Sequence, residues 1–315
     1  GGFLVISADD PGPHSSQTEQ DSRLYAMLAN VPVLDPDSPS QARDMAGVGF
    51  RLSEKFEIPV MIRPVTRVCH ARQDIEKKEA LRDNTEAAFE KNPARWAATP
   101  KFRYKLHNKL KEKLKKIASW KETAPVCINP SVRSPKAIIV SGVSAAHAKD
   151  IIRELDIEGR ITLYQVVQPY PLHTQFIETV LRDHNDILVL EETTGVIEMQ
   201  LAQKDRVKGK KSGHVSETGE LLPEIMEKII ADFVSVESGS KILEPQPGRR
   251  PTLCAGCPHR ASFFAIKKAA PKGIYTSDIG CYTLGMNLGA VDTVLCMGAA
   301  ISQAAGFAHA YDDEK

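Results

Sequence analysis

The chain reads as an α/β protein built on parallel sheets and divided into more than one domain. Three observations predict this. Short apolar runs rich in Val, Ile and Leu alternate with helical patterns of about 10 to 20 residues, the signature of βαβ units. Turn residues at Pro125, Pro130 and Pro135, and again at Pro245-Gln-Pro-Gly248, cut that alternation into blocks. A length of 315 residues, 42% of them hydrophobic, suffices for two or three domains with a core each.

The first block alternates a strand over 3–8, a helix over 15–29, a strand over 31–34, a helix over 39–56 and a strand over 59–65. Strands so separated pair in parallel through right-handed crossovers. From Gln73 to Trp120 the strand signal disappears, and Glu, Lys, Arg and Ala dominate with Pro93 and Pro100 as breaks, which predicts a helical connector. The second block predicts strands over 137–140, 161–167 and 187–190, with helical or further elements over 145–155, 174–183, 196–202 and 223–234. Beyond the second hinge come a helix over 260–270, strands over 274–277 and 293–297, and a helix over 299–311, too few elements to close a sheet. No internal repeat of fixed period is visible.

Composition narrows the function. The net charge of +1 gives no overall pull toward nucleic acid or anionic lipid. The longest apolar stretches, such as Ala137–Val140 and Ile187–Leu190, fall far below the ~18 residues a membrane span needs. Six cysteines are too sparse for a disulfide framework, which points to the reducing cytoplasm. The opening Gly-Gly-Phe-Leu-Val-Ile-Ser lacks an initiator Met and a basic flank and reads as a strand already inside a fold. Charge is uneven: residues 101–121 carry nine Lys or Arg against Glu112 alone. Within them Leu106, Leu110, Leu114 and Ile117 form one helical stripe, with the lysines on the other faces. Such a face is either simply solvated or a ridge that steers an acidic protein; with no stacking aromatic residues interleaved beyond Tyr104 and Trp120, it does not read as a nucleic-acid surface.

Four stretches carry chemistry. Asp9-Asp10-Pro11-Gly12-Pro13-His14-Ser15-Ser16-Gln17 follows the first strand, at the carboxyl edge where α/β folds place ligands. Ser15 or Ser16 could equally cap a helix, with Glu19 completing a capping box. Cys254-Ala-Gly-Cys257-Pro-His259 sets two thiols on one turn, and Cys281 in Ser277-Asp-Ile-Gly-Cys281-Tyr282 follows another strand. The three suit an iron–sulfur cluster or zinc; a redox Cys-x-x-Cys is the competing reading. Met297-Gly298-Ala-Ala-Ile starts a small-residue helix whose N–H groups favour an anion. No Gly-x-Gly-x-x-Gly occurs, and Lys208-Gly-Lys-Lys-Ser212 lacks the upstream glycine of a P-loop.

Taken in order, Asp9 to Gln17 with Glu19-Gln-Asp21, Cys254 to Arg260, Ser277 to Tyr282 and Met297 to Ile301 resemble the alpha subunits of the indolepyruvate ferredoxin oxidoreductases, a branch of the thiamine diphosphate-dependent 2-oxo acid:ferredoxin oxidoreductases. The resemblance covers nearly the whole chain. It implies that residues 1–72 are the latter half of a pyrimidine-binding domain, 73–130 a helical connector, 131–245 a transketolase C-terminal-like α/β domain, and 246–315 the first part of a diphosphate-binding domain. It further implies oxidative decarboxylation of aryl pyruvates to acyl-CoA. Ferredoxin would be the electron acceptor, coenzyme A the acyl acceptor and a beta subunit the partner, with neither nucleic acid nor membrane involved.

By the same resemblance, His259, Asp278, Ile279, Gly280, Cys281, Tyr282 and Gly298 border the cofactor, and His14, Ser15 and Ser16 lie on the substrate side. Cys254, Cys257 and Cys281 would ligate a [4Fe–4S] cluster whose fourth ligand lies downstream, or Cys281 and its neighbours would only line the thiazolium pocket. The activating Glu is expected upstream of Gly1, and the Mg²⁺ ligands beyond Lys315, so the chain is expected to be an internal fragment without turnover of its own. The alternatives are a different 2-oxo acid substrate or a non-catalytic metal-binding assembly module.

Overall fold

In the computed structural model the described residues are 2–14, 16, 18–77, 89–201, 205–241 and 251–311. Two compact units are present, Gly1–Ile242 and Leu243–Lys315. The fold is α/β, with sheets that are almost entirely parallel.

The first unit opens with a three-stranded parallel sheet of β1 (Leu4–Ile6), β2 (Val33–Leu34) and β3 (Val60–Ile62), in the order β1-β3-β2. Its helices are α1 (Arg23–Ala29), α2 (Pro39–Phe56) and α3 (Thr66–His70). Ser38 caps α2 by accepting the Gln41 N–H at 3.2 Å, and Pro39 occupies the first turn, where a missing N–H costs nothing. Gly49 lets α2 settle on β1: a Cβ there would stand 2.9 Å from a Leu4 methyl.

The helix expected from residue 15 begins only at Arg23. The described residues before it are irregular, because Ser16 and Ser22 bond to the carboxylates of Asp10 and Asp9 rather than to a helix end. The connector contains α4 (Pro93–Trp96) and α5 (Arg103–Ile117), while residues 78–88 lie outside the described residues. The apolar stripe of α5 does what its spacing predicts: Leu114 and Ile117 are buried and Leu110 packs beside them against Leu34, Leu52, Ile62 and Trp120.

The rest of this unit is a five-stranded sheet, ordered β4-β6-β5-β7-β8, of β4 (Val126–Cys127), β5 (Lys136–Ser141), β6 (Thr162–Val166), β7 (Asp186–Leu190) and β8 (Val207–Lys208). Only β4 runs antiparallel. Helices α6 (Val143–Glu154), α7 (Thr174–Asp183), α8 (Val196–Gln200) and α9 (Pro223–Val234) accompany it. Alternate residues face opposite sides of a strand, so Ile138, Val140, Leu188 and Leu190 pack with Ile151, Met226 and Ile230, while Ala137, Ile139, Ile187 and Val189 pack with Phe176, Val180 and Ile197. Burial on both faces is why these strands read as unbroken apolar runs.

The second unit contains α10 (Pro258–Ala269), the parallel pair β9 (Thr276–Ser277) and β10 (Thr293–Val294), and α11 (Ala299–Ala310). A 3₁₀ segment over Thr283–Leu288 joins β9 to β10, and its Gly285 lies so close to Phe263 that a Cβ would approach the ring to 2.6 Å. Leu253, Phe263, Ala290 and Val291 make a small core. The hinge expected at Pro245–Gly248 lies outside the described residues. Among the described residues no helix is long and apolar enough to cross a membrane.

Candidate functional site

The carboxyl ends of both sheets of the first unit meet in a buried ionic cluster. Asp9 follows β1, Asp35 follows β2, Arg63 follows β3, Ser141 ends β5 and Glu191 follows β7. Arg63 donates Nε–H to Asp9 at 2.7 Å, and Ser141 donates its hydroxyl to Asp35 at 3.1 Å. Arg23, fully buried, donates to both Asp21 oxygens at 2.8 Å, to Glu191 at 3.0 Å, to the Thr194 carbonyl at 2.8 Å and to the Glu192 carbonyl. Glu191 in turn accepts the N–H groups of Ile197 and Glu198.

Carboxylates outnumber the two guanidinium groups there, and their environments separate them. Burial works against ionised Asp21, but Arg23 and Arg63 outweigh it and hold the group at about 2. Burial dominates at Glu192 and pushes it up to about 7; it also raises Asp35 and Glu191. One oxygen each of Asp35 and Glu192 has no hydrogen-bond partner among the described residues.

Beside this cluster lies the predicted substrate-side loop. Asp10 accepts the N–H and hydroxyl of Ser16 at 3.1 and 3.0 Å and the Thr66 hydroxyl at 2.8 Å, so the loop is pinned from within. His14 places Nε2 3.1 Å from Glu220, whose carboxylate also takes two bonds from Arg67 at 2.6 and 2.8 Å. Glu19 accepts the Gly219 N–H at 2.7 Å. His14 and Ser16 thus share one loop; Ser15 lies outside the described residues.

In the second unit Asp278 accepts the N–H groups of Gly298 at 3.0 Å and Ala300 at 2.7 Å. The anion at the start of α11 is therefore the chain's own carboxylate. His259 sets Nδ1 3.2 Å from the Cys257 sulfur and meets the Tyr282 ring edge-to-face at 5.0 Å. Ile279, Gly280 and Cys281 form the turn between β9 and Tyr282, with Gly280 at φ +120°. At Gly280 a Cβ would find its nearest neighbour at 3.9 Å, and at Gly298 nothing within 4 Å. Open, glycine-lined strand ends of this kind fit a cofactor that lies against backbone.

The thiols do not, as placed, fit a cluster. Cys254 and Cys281 are exposed, Cys257 is half-buried, and among the described residues no three His, Cys, Asp or Glu side chains are grouped so as to hold one metal ion. Cys296, which the sequence reading passed over, is also exposed just beyond β10.

The residues missed from sequence are Arg23, Arg63, Glu191, Glu192, Arg67 and Glu220. For two of them a signal existed, since Glu191-Glu192 directly follows the apolar run of β7, the carboxyl-edge position of an α/β fold.

No protein-family model matches the chain. The indolepyruvate oxidoreductase subunit IorA of Thermococcus kodakarensis is 37% identical over 96% of the chain and 50% of its own length. That of Pyrococcus horikoshii is 34% identical over 97% of the chain and 51% of its own length. In fold, the chain resembles a 2-oxoglutarate:ferredoxin oxidoreductase from Magnetococcus marinus with a TM-score of 0.53 at 13% identity, covering 74% of this chain and 49% of that one. The chain spans about half the length of the curated relatives it matches, and over that span it is similar along nearly its whole length to indolepyruvate oxidoreductase subunit IorA.

Proposed function

We propose that the chain is part of the catalytic subunit of a thiamine diphosphate-dependent oxidoreductase. The reaction converts an aryl pyruvate, coenzyme A and oxidised ferredoxin to acyl-CoA, CO₂ and reduced ferredoxin, with two electrons leaving one at a time. The observation that carries the reading is the 37% identity to an indolepyruvate oxidoreductase subunit across 96% of the chain. On this reading residues 1–72 belong to the pyrimidine-binding domain, 73–130 to a connector, 131–245 to a transketolase C-terminal-like domain and 246–315 to the diphosphate-binding domain. The setting is the cytoplasm, with a beta subunit as partner.

Thiamine diphosphate, when bound, supplies the electron sink for the carbanion left by loss of CO₂. The chain's own residues supply position. Ile279, Gly280, Cys281, Tyr282 and Gly298 offer backbone against which the cofactor lies, Asp278 fixes the Gly298 turn, and Tyr282 holds the His259 ring. His14 and Ser16 present the substrate side from a loop tied down by Asp10. The pocket-lining role of Cys281 is favoured over cluster ligation by the dispersed thiols.

The test is ferredoxin reduction by the full-length subunit co-expressed with its partner. Indolepyruvate and phenylpyruvate are expected to support coenzyme A-dependent reduction better than pyruvate or 2-oxoglutarate, and addition of thiamine diphosphate to be required. Absence of reduction with every 2-oxo acid would overturn the proposal.

A further inference from the structure

We infer that Glu220 is a positioning residue, which acts on substrate chemistry only through His14. The inference rests on the reading that the loop carrying His14 and Ser16 borders the substrate. His14 is the exposed imidazole of that loop, its side chain 46% open to solvent, while the Glu220 carboxylate that meets its Nε2 is only 8% exposed. A half-open ring held by a nearly buried carboxylate is oriented rather than free, because the carboxylate cannot turn away to water.

Glu220 is itself held from several directions. Arg67 engages both of its oxygens through Nε and Nη2, which fixes the plane of the carboxylate and leaves Oε2 a second lone pair aimed at His14. On either side the chain is anchored: the Gly219 N–H goes to Glu19, and the Leu221 N–H goes to Glu192 at 3.2 Å, with Leu221 buried in the core. The turn is closed by Ser216, whose hydroxyl donates to the Thr218 carbonyl at 2.7 Å and whose own carbonyl accepts the buried Lys210 ammonium at 2.6 Å. Burial opposes the charge on Glu220, but the bonds from Arg67 and His14 prevail, and its carboxyl stays below the usual range.

The loop is shaped to this contact. At Gly12 a Cβ would stand 3.0 Å from the Glu220 Cβ, so the chain passes Glu220 closely there. A carboxylate accepting from Nε2 makes that nitrogen the protonated one in the neutral ring, which leaves Nδ1 as an acceptor. Among the described residues Nδ1 makes no hydrogen bond. The same arrangement, a carboxylate fixing the tautomer and direction of an imidazole that does the contacting, serves many proton-transfer sites.

The experiment is a double-mutant cycle on the full-length subunit with its partner, using His14→Gln, Glu220→Ala, Glu220→Gln and the double variant His14→Gln/Glu220→Ala. Glu220→Ala is expected to lower kcat/KM for the 2-oxo acid by on the order of tenfold, and Glu220→Gln, which keeps an acceptor oxygen, to recover most of it. In the His14→Gln background Glu220→Ala should cost nothing further, since its path to the substrate is already gone. Equal losses in the two backgrounds would mean that Glu220 supports the fold alone and would overturn the inference. If His14→Gln is fully active, the substrate-side reading of the loop fails instead. In that case amide exchange decides the positioning: it stands if Glu220→Ala speeds exchange at Gly12, His14, Ser16 and Thr18 and not in α9, and it falls if exchange at those four is unchanged.

Discussion

Arg23 and Glu191 lie 168 positions apart in sequence and are joined by a 3.0 Å bond between side chains that are both sealed from solvent. Arg23 comes from the start of α1, beside the three-stranded sheet, and Glu191 from the end of β7 in the five-stranded one. Arg23→Leu leaves Glu191 without its ion-pair partner and Asp21 with only Arg63, 3.9 Å away, and a broken buried pair costs roughly 3–5 kcal/mol. Chemical denaturation of the purified protein should show that loss; a variant within about 1 kcal/mol of wild type would mean that water reaches the cluster.

Glu192 gives stability a pH dependence with a definite sign. Its folded-state value of about 7 lies above the ordinary 4.5, so the folded state binds the extra proton between them. The advantage is complete below about 4.5 and is lost as pH rises through 7, a swing of roughly 3 kcal/mol. Burial is the main cause; Arg63 and the Leu221 N–H act against it, and Glu220 and Asp35 add to it. Asp21 works oppositely and elsewhere: held at about 2, it stabilises above its ordinary 3.8 and that contribution fades as pH falls through 2. Glu192→Gln should therefore flatten the stability curve between pH 5 and 8 and leave the acid limb in place, as followed by thermal unfolding at a series of pH values.

The thiols make a clean iron experiment. If Cys281 lines a pocket, anaerobically purified full-length enzyme carrying Cys257→Ala should contain as much iron and sulfide as wild type. Loss of one cluster's iron would restore the ligand reading and require the loops of Cys254, Cys257 and Cys281 to close on one another.

Asp278 caps α11 through two N–H groups, so Asp278→Ala should cost about 1 kcal/mol in stability. Its effect on cofactor affinity is expected to be larger than that of His259→Ala, because Asp278 shapes the Gly298 turn while the contacts of His259 are with the side chains of Cys257, Phe263 and Tyr282. Titration of thiamine diphosphate against both variants of the full-length enzyme checks the order.

On α5, Lys113 is drawn to the Glu57 carbonyl at 2.8 Å, whereas Lys105, Lys109 and Lys116 are exposed. If this face steers ferredoxin, changing those three to Gln raises the apparent KM for ferredoxin at low salt and leaves it unchanged near 0.5 M, where the Debye length is roughly 4 Å. Kinetics identical to wild type at every salt concentration would make it a solvated face.

Where periodicity was strong, the sequence was readable almost to the residue: α2, α7 and α9 begin and end at Pro39 and Phe56, Thr174 and Asp183, and Pro223 and Val234, as expected. The two-residue strands β4 and β8 escaped because Val126–Cys127 and Val207–Lys208 are too short to show alternation. The early helix start came from reading Ser15 or Ser16 as a cap that accepts a helix N–H, whereas Ser16 donates its own N–H and hydroxyl to Asp10. At the candidate site, loops that follow strands could be found from sequence, but Glu220 could not. Its partners His14 and Arg67 lie 206 and 153 residues away, and only the folded chain brings them together.

The meeting of two carboxyl edges around Arg23 also governs how this protein can drift. Arg23 serves Asp21, Glu191 and the carbonyls of residues 192 and 194 at once, so a neutral replacement there strands charges contributed by a distant stretch of the chain. Viable lineages should cross that barrier in matched steps, with position 191 or 21 losing its charge before position 23 does. A selection library that randomises positions 21, 23 and 191 together should return charge-neutral triplets alongside the native one, and almost none in which Arg23 alone is lost.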